Sequence, residues 1–304
     1  MALLSVQDLS VAIGRVQPLD RICLEVDKGE ILGVVGESGS GKSLTALGIM
    51  GLLPLMGGRV CGGSIRFGGT ELVGLQESAY RRLRGQRLAL ITQNPMTSLD
   101  PMIKVGAQID QVALLHLGLS AKEARTRTLE LLEQLRIPDA ATVYHQFPHQ
   151  MSGGMKQRIV IAMALAGDPD LIIADEPTTA LDVTIQAQIV QILVDLVRSR
   201  GLALMLITHD MGVVAQACDK VVVLYGGRVA ESNSVHAIFA RSAHPYTRAL
   251  IGCIAQTNQA RGTLQGIPGT VPGVGDFASG CRYHPRCEHA LSVCQNDVPA
   301  LRQC

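Results

Sequence analysis

Residues 36–43, which read GESGSGKS, have the composition of a phosphate-binding loop. They fit the pattern G-x-x-x-x-G-K-[ST] between a predicted strand at Ile31–Val35 and a helical pattern that begins near Ser43. Glycines let backbone N–H groups turn towards phosphate oxygens, and the N-terminus of the following helix adds positive potential. Lys42 is expected to reach the β- and γ-phosphates of a nucleotide, and Ser43 to ligate Mg²⁺. The predicted nucleotide-binding residues of this loop are Gly36, Ser38, Gly39, Gly41, Lys42 and Ser43.

The alternative for this loop is a glycine-rich turn that matches the pattern by chance. A pair of acids farther along the chain favours the functional interpretation. Residues 171–176 read LIIADE, an apolar strand that ends in Asp175 and Glu176. Strand ends in such sheets are where ligands bind, so Asp175 is expected to hold the Mg²⁺ shell and Glu176 to orient or deprotonate an attacking water. On its own such a pair is often only a helix N-terminal feature, but its position after the phosphate loop favours catalysis.

Alternating strand and helix patterns must position these groups. Buried strands are predicted at 88–92, 171–174, 202–208 and 220–224, and helical spacing covers much of 106–165 and 184–198. This alternation predicts an α/β fold, a sheet with helices on its faces. The helical stretch at about 94–160 is predicted to be an inserted subdomain of a domain that covers 1–235. Residues 236–304 are predicted to form a small irregular appendage.

Composition narrows the class of protein. Of the 304 residues, 47% are hydrophobic and 17% charged, which suits a buried globular core. The formal net charge of +1 gives no reason to expect a nucleic-acid partner. The longest apolar runs have the length of strands rather than of membrane spans, and the first residues lack the features of a secretory signal. We therefore expect a cytoplasmic chain.

Residues 151–158, which read MSGGMKQR, carry a resemblance to a known family. A Ser-Gly-Gly segment at a helix start resembles the signature of the ATP-binding cassette (ABC) family. The resemblance implies a P-loop NTPase (RecA-like) ABC nucleotide-binding domain with a helical subdomain, which uses ATP and Mg²⁺. It also implies that Ser152, Gly153 and Gly154 close over the γ-phosphate bound to an opposite subunit, so that hydrolysis requires a dimer.

Three further motifs follow the order of this family. Gln93 matches the glutamine that links the metal site to the helical subdomain. The segment Ala180-Leu181-Asp182 matches the residues that cross the dimer interface, and His209 matches the histidine that contacts the γ-phosphate. The resemblance thus implies catalytic roles for Glu176, His209 and Gln93, Mg²⁺ ligation by Ser43, Gln93 and Asp175, and nucleotide contact by Asp182.

One departure from the family concerns the base of the nucleotide. Family members stack adenine on an aromatic residue upstream of the phosphate loop, whereas no Phe, Tyr or Trp precedes Phe67 here. Ile13 or a neighbour is expected to offer an apolar platform instead. Weak discrimination between ATP and GTP would follow.

The amino-acid sequences of several segments resemble one branch of the family, the ATPases of dipeptide, oligopeptide and nickel importers. These segments are SGGMKQR at 152–158, DEPTTALDVTIQ at 175–186, HPYTRAL at 244–250, IPGTVP at 267–272 and GCRYHPRC at 280–287. The resemblance implies a second, related ATPase subunit in a heterodimer, two membrane permeases and an extracytoplasmic solute-binding protein. The chain would lie peripherally at the cytoplasmic face of the inner membrane, with residues 93–160 docked on the permeases. Peptide is the expected cargo, and nickel or another small solute is the alternative.

The last 24 residues contain four cysteines with the spacing C-x5-C-x6-C-x9-C. Four thiolates suit an iron–sulfur cluster or zinc, and resemblance to some peptide-importer ATPases favours a four-iron four-sulfur cluster. The alternative is a surface-packing appendage whose cysteines bind nothing. The candidate ligands are Cys281, Cys287, Cys294 and Cys304.

Two other classes of protein compete with the transport ATPase. Soluble cassette ATPases of DNA repair or translation carry two cassettes or long coiled coils, and this chain has one cassette without a heptad stretch. A regulatory subunit without turnover would lack catalytic groups, and both Glu176 and His209 are present. The motifs therefore favour an ATP-hydrolysing importer subunit.

Overall fold

The computed structural model describes residues 2–178, 182–254 and 266–301. The strands in chain order are β1 Leu4–Ile13, β2 Val16–Val26, β3 Ile31–Val35, β4 Gly58–Phe67, β5 Thr70–Glu71, β6 Leu88–Ile91, β7 Leu171–Asp175, β8 Ala203–Thr208, β9 Lys220–Tyr225 and β10 Arg228–Ser234. The helices are α1 Lys42–Ile49, α2 Glu77–Leu83, α3 Pro95–Ser98, α4 Val105–Leu117, α5 Ala121–Gln134, α6 Ala140–Val143, α7 Gly153–Ala166, α8 Val183–Arg200, α9 Met211–Ala217, α10 Val235–Arg241 and α11 Pro245–Gly252. None of the described helices is long and apolar enough to cross a membrane.

The chain divides into two compact units. The first comprises residues 1–27, 31–73 and 207–304, and the second comprises 28–30 and 74–206. The described residues after 235 thus share a unit with the N-terminal strands, whereas the sequence pattern predicts a boundary at about 235. The predicted domain boundaries stay a prediction, because a division into compact units does not by itself define domains.

The first unit contains an antiparallel sheet in the order β2-β1-β4-β5. The side chains of β1 that are fully shielded from solvent include Leu4, Leu9 and Val11, which supply its apolar face. In the same unit β3 runs parallel to β9, with Leu32 opposite Lys220 and Val35 opposite Val223. All five residues of β3 are buried, as expected of a parallel strand covered on both faces. This strand leads directly into the phosphate loop.

The C-terminal part of the first unit begins with α10 and α11, which sequence patterning did not predict. Residues 266–301 are mostly irregular with short 3₁₀ turns, as predicted. Two tyrosines of this C-terminal part, Tyr246 of α11 and Tyr283, pack against Tyr225 of β9. The three ring centroids lie 4.7–5.2 Å apart. Such aromatic pairs add about 0.5–1.5 kcal/mol each beyond area burial. The described part of residues 236–304, called the C-terminal extension below, is therefore packed into the core of its unit.

The second unit combines a parallel β6–β7 pair, with β8 next to β7, and a helical layer. The helices α4, α5 and α7 pack on one another. Ser120 begins α5 with a capping box, because its hydroxyl accepts the N–H of Glu123 while the Glu123 carboxylate accepts the N–H of Ser120. Asp110 of α4 accepts hydrogen bonds from Thr128 of α5 and from Tyr144. These contacts build the helical layer on which the signature segment lies.

Candidate active site

The phosphate loop joins β3 to α1 in a conformation that requires glycine. Gly36 has φ of +152°, and a Cβ on it would lie 2.2 Å from the carbonyl oxygen of Leu224. No side chain fits there, so the backbone of the loop lies directly against β9. Gly41 is left-handed and forms the N-cap of α1. Ser38, Gly39 and Ser43 are exposed, so the rim of the loop faces solvent where a phosphate would bind.

Lys42 lies folded over this loop. Its side chain is buried, and its ammonium donates hydrogen bonds to the carbonyl oxygens of Gly36, at 2.7 Å, and of Glu37, at 2.9 Å. The hydroxyl of Thr45 donates to the carbonyl of Gly41 at 2.9 Å. A buried cation at the N-terminus of a helix, beside a loop whose rim is exposed, suits an anionic ligand. The loop therefore fits the phosphates of a nucleotide.

Two other predicted residues meet in the second unit. The amide of Gln93 donates a hydrogen bond of 2.9 Å to Oε2 of Glu176. Glu176 follows β7 directly and has φ of +47°, a left-handed conformation that is uncommon for a residue with a β-carbon. Asp175, the last residue of β7, is half-buried. The carboxylate of Glu176 is thus held in one orientation by a neighbouring side chain.

The signature segment begins α7 in the same unit. The hydroxyl of Ser152, the N-cap, accepts the N–H of Met155 at 3.3 Å. Ser152 and Gly153 are exposed, and a Cβ on Gly154 would lie 2.8 Å from Cγ2 of Ile185 in α8. The residues at this helix start are therefore open to solvent, and a helix N-terminus is a place where an anion can bind.

The remaining predicted residues lie at the ends of elements. Asp182 is exposed and precedes α8, whereas Ala180 and Leu181 lie outside the described residues. His209 is exposed and follows β8. The next residue, Asp210, caps α9 by accepting the N–H of Gly212 at 2.7 Å and donates its own N–H to Thr208 at 3.0 Å. These bonds fix the backbone on one side of His209.

The predicted residues divide between the two units. Lys42, Ser43 and His209 belong to the first unit, as does the whole phosphate loop. The second unit contains Gln93, Asp175, Glu176, Ser152, Gly153, Gly154 and Asp182. Their assignments to ATP and Mg²⁺ stay predictions. Ile13, the expected adenine platform, is half-buried at the end of β1, opposite Val16 and Gly58.

Several contacts of the phosphate loop with distant parts of the chain could not be predicted from the sequence. The guanidinium of Arg286, in the C-terminal extension, makes a bidentate ion pair with the carboxylate of Glu37 inside the loop. A second contact joins the N–H of Gly227 to the carbonyl of Ser40 at 2.9 Å. The segment GCRYHPRC is visible in the sequence, but nothing in the pattern relates it to residues near position 37.

The candidate metal ligands at the C-terminus lie on short turns. Cys281, Cys287 and Cys294 are half-buried, and the N–H of Cys281 donates to the carbonyl of Cys294 at 2.8 Å. Burial raises the pKa of the Cys281 thiol, and the nearby thiols of Cys294 and Cys287 add to the effect. Within the residues that the structure describes, no group of three or more His, Cys, Asp or Glu is arranged to hold a metal ion. Cys304 lies outside those residues.

Comparison with known proteins places the chain. Residues 19–179 match the ABC transporter family, and residues 230–294 match the family described as the oligopeptide/dipeptide transporter C-terminal region. The chain therefore belongs to the ABC transporter family, as an ATPase subunit whose C-terminal region is of the oligopeptide/dipeptide transporter type.

Two curated relatives cover nearly the whole chain. The dipeptide transport ATP-binding protein DppD of Escherichia coli is 47% identical over 305 residues, which is 99% of this chain and 93% of the relative. The oligopeptide transport ATP-binding protein OppD of Salmonella typhimurium is 44% identical, over 98% of this chain and 89% of the relative.

A solved structure confirms the predicted fold class. The ATP-binding cassette MJ0796, as a dimer in a post-hydrolysis state with ADP and phosphate, superposes with a TM-score of 0.68 and 25% identity, over 76% of this chain and 98% of that one. The α/β nucleotide-binding domain with its helices is therefore the fold that the motifs predict.

Proposed function

We propose that this chain is the ATP-hydrolysing subunit of an importer that energises the uptake of dipeptides and oligopeptides across the cytoplasmic membrane. The observation that carries the proposal is the joint presence of a phosphate loop with a folded-over Lys42 and a peptide-transporter C-terminal region at 230–294. The relatives named above, which are dipeptide and oligopeptide transport proteins, support the cargo class. Nickel or another small solute is the alternative cargo.

The phosphate loop supplies the binding half of the reaction. Lys42 lies on the carbonyls of Gly36 and Glu37, from which its ammonium can turn to the β- and γ-phosphates of ATP. By resemblance, Ser43, Gln93 and Asp175 would hold Mg²⁺, which neutralises charge on the phosphate oxygens. Exposed Ser43 supplies a hydroxyl and half-buried Asp175 a carboxylate, and such oxygen ligands suit that ion.

Glu176 supplies the proton acceptor. The amide of Gln93 orients the carboxylate of Glu176 through Oε2, and this carboxylate would accept a proton from the attacking water. By resemblance, His209 contacts the γ-phosphate. Ser152, Gly153, Gly154 and Asp182 would act on the nucleotide of a partner ATPase, for which the exposed N-terminus of α7 supplies the anion-binding groups.

The proposed assembly contains a second, related ATPase subunit, two permeases and an extracytoplasmic solute-binding protein, with this chain at the cytoplasmic face of the membrane. Nucleic acid has no part in it. Exposed apolar side chains after Gln93 support a permease-docking surface, because Met96 is 61% and Met102 82% exposed. Methionine suits such a surface since its side chain adapts to a partner.

This surface is tested by co-purification with the permeases. Met102→Asp should release the chain from its permeases without changing its own ATP binding. Leu55→Asp is the matched control, because Leu55 is 85% exposed but lies in the other unit. Equal retention of both variants would contradict the docking proposal.

A metal at the C-terminal cysteines is a separate part of the proposal. The described thiols do not form a metal site as they stand, so the cluster rests on resemblance and on the closeness of Cys281, Cys287 and Cys294. Anaerobic purification with iron and zinc analysis tests it. Near-stoichiometric iron that is lost in Cys287→Ser but kept in Cys61→Ser, at an exposed position, would support a four-iron four-sulfur cluster. Zinc alone would replace iron, and the absence of both metals would end the proposal.

The main experiment is uptake by cells that carry the whole transporter. Labelled dipeptides, oligopeptides and nickel are compared between the wild type, Lys42→Ala and the exposed control Lys122→Ala. Selective loss of peptide uptake in Lys42→Ala is the expected result. Loss of nickel uptake alone would support the role as transport ATPase but with nickel as the cargo. Unchanged uptake of both peptides and nickel would overturn the importer role.

A further inference from the structure

A buried arginine of the C-terminal extension reaches into the phosphate loop. The side chain of Arg286 is 6% exposed, and its Nη1 and Nη2 lie 2.7 and 3.0 Å from the two carboxylate oxygens of Glu37, 249 positions earlier in the chain. The fork of a guanidinium matches a carboxylate in this bidentate geometry, which adds directional specificity to the attraction. Both residues belong to the first unit.

The guanidinium of Arg286 is itself held in one orientation. Its Nε donates to the carbonyl of Pro268 at 2.7 Å, and Nη2 also donates to the carbonyl of Gly269 at 3.2 Å. The hydroxyl of Tyr225 accepts from Nη1 at 3.4 Å. Residues of the extension and of β9 accept hydrogen bonds from the guanidinium of Arg286 and fix its orientation. The side chain therefore loses little conformational entropy when it pairs with Glu37.

Glu37 is held at its backbone as well as at its side chain. Its N–H donates to the hydroxyl of Tyr246 at 2.9 Å, and its carbonyl accepts the ammonium of Lys42 at 2.9 Å. Tyr246 is fully buried, so its hydroxyl is a fixed partner. The carbonyl that orients Lys42 therefore belongs to a residue whose other polar groups are all fixed by the C-terminal part of the chain.

We propose that Arg286 is a positioning residue of the nucleotide site, which acts through Glu37 and with the help of Tyr246. The extension sets the backbone of the phosphate loop, and thereby the position of the Lys42 ammonium, before a nucleotide binds. This preorganisation lowers the cost of ordering the loop around phosphate. The inference rests on the proposed function, since it takes ATP as the ligand of the loop.

A purely structural role is the competing explanation. In that case the ion pair would only fasten the extension, and its loss would lower the melting temperature without affecting nucleotide affinity. The two explanations differ in the dissociation constant of Mg–ATP and in how the effects of Arg286 and Glu37 substitutions combine.

The experiment measures Mg–ATP affinity by calorimetry, and the melting temperature, on the full chain. Arg286→Ala should weaken ATP binding about tenfold, as expected for the loss of a charge-assisted hydrogen-bonded pair. Arg286→Lys should recover part of the affinity, because it keeps the charge but loses the fork. The matched control is Arg248→Ala, an exposed arginine of the extension that donates to the carbonyl of Ser242 and should bind ATP as the wild type does.

A double-mutant cycle completes the test. Glu37→Gln and Arg286→Gln should each weaken ATP binding, and the double variant should bind no more weakly than the poorer single variant, because both remove one link. Additive losses, or lower melting temperatures with unchanged affinity, would overturn the inference. If Arg286→Ala fails to fold, Arg286→Lys and Glu37→Gln decide it. Lys42→Ala distinguishes a failure of this inference from a failure of the proposed function. ATP binding that survives in that variant would count against the proposed function itself.

Discussion

The phosphate loop and the turn after β7 both use left-handed backbone, but with different residues. In the loop the positive φ angles fall on glycines, with Gly36 at +152° and Gly41 at +101°. In the turn the same kind of conformation falls on Glu176, at +47°. A residue with a β-carbon pays about 1–2 kcal/mol for this conformation, whereas glycine does not.

The difference follows from the group that each segment uses. In the proposed function the loop binds phosphate through backbone N–H groups, so a side chain at Gly36 would only obstruct it. In the same proposal the turn acts through the carboxylate of Glu176, so this side chain must stay although the backbone is strained. Strain that persists at a residue with a held carboxylate indicates function, and the hydrogen bond from Gln93 to Glu176 agrees with that interpretation.

The largest expected effect concerns the carboxylate. Glu176→Gln keeps the size of the side chain but removes the proton acceptor, so ATP hydrolysis should fall about 100- to 10,000-fold. ATP affinity should stay near that of the wild type, because the phosphate loop is untouched. Single-turnover hydrolysis and calorimetry measure the two quantities. Equal hydrolysis in the variant and the wild type would remove Glu176 from the reaction.

The second effect concerns the backbone of the loop. Gly36→Ala places a Cβ against the Leu224 carbonyl, so the loop must shift and ATP affinity should fall about 100-fold. Gly118→Ala is the control, since Gly118 also has positive φ, at +64°, but no atom lies within 4 Å of an added Cβ. The control should lose some stability and keep ATP affinity. An equal loss of affinity in both variants would contradict the proposed role of this close approach.

A smaller effect is expected from the group that holds the carboxylate. Gln93→Ala removes the hydrogen bond to Glu176, and hydrolysis should slow about tenfold. Gln191→Ala is matched to it, because the amide of Gln191 also donates to a carboxylate, that of Asp195 at 2.8 Å, on the surface of α8. Hydrolysis that slows in both variants, or in neither, would show that the Gln93 contact does not orient the reacting group.

The sequence predicts the elements around the chemistry better than those that support them. The strands before the phosphate loop and before Asp175 are short apolar runs bounded by motifs, and both lie where predicted. The strand β4 escapes prediction because glycines at 58, 62 and 63 interrupt its apolar pattern. The edge strand β10 escapes because none of its residues is buried, so no alternation marks it.

The candidate site divides in the same way. Local motifs indicate Lys42, Glu176 and Ser152, since each is defined by its neighbours in sequence. Arg286 could not be assigned in this way, because its partner Glu37 is 249 positions away and only the fold brings the two together. The left-handed conformation of Glu176 is equally hidden, since glutamate carries no local preference for it.

The smallest effect tests the strain itself. Glu176→Gly removes the β-carbon that makes the left-handed conformation costly, so the free energy of unfolding should rise by about 1 kcal/mol while hydrolysis is lost. Glu176→Gln is the matched control, because it loses hydrolysis but keeps the β-carbon, and its stability should equal that of the wild type. Urea unfolding of the three proteins measures the difference. If glycine does not stabilise the protein relative to glutamine, the backbone is not strained at Glu176. The turn and the phosphate loop would then differ only in the type of residue that has positive φ.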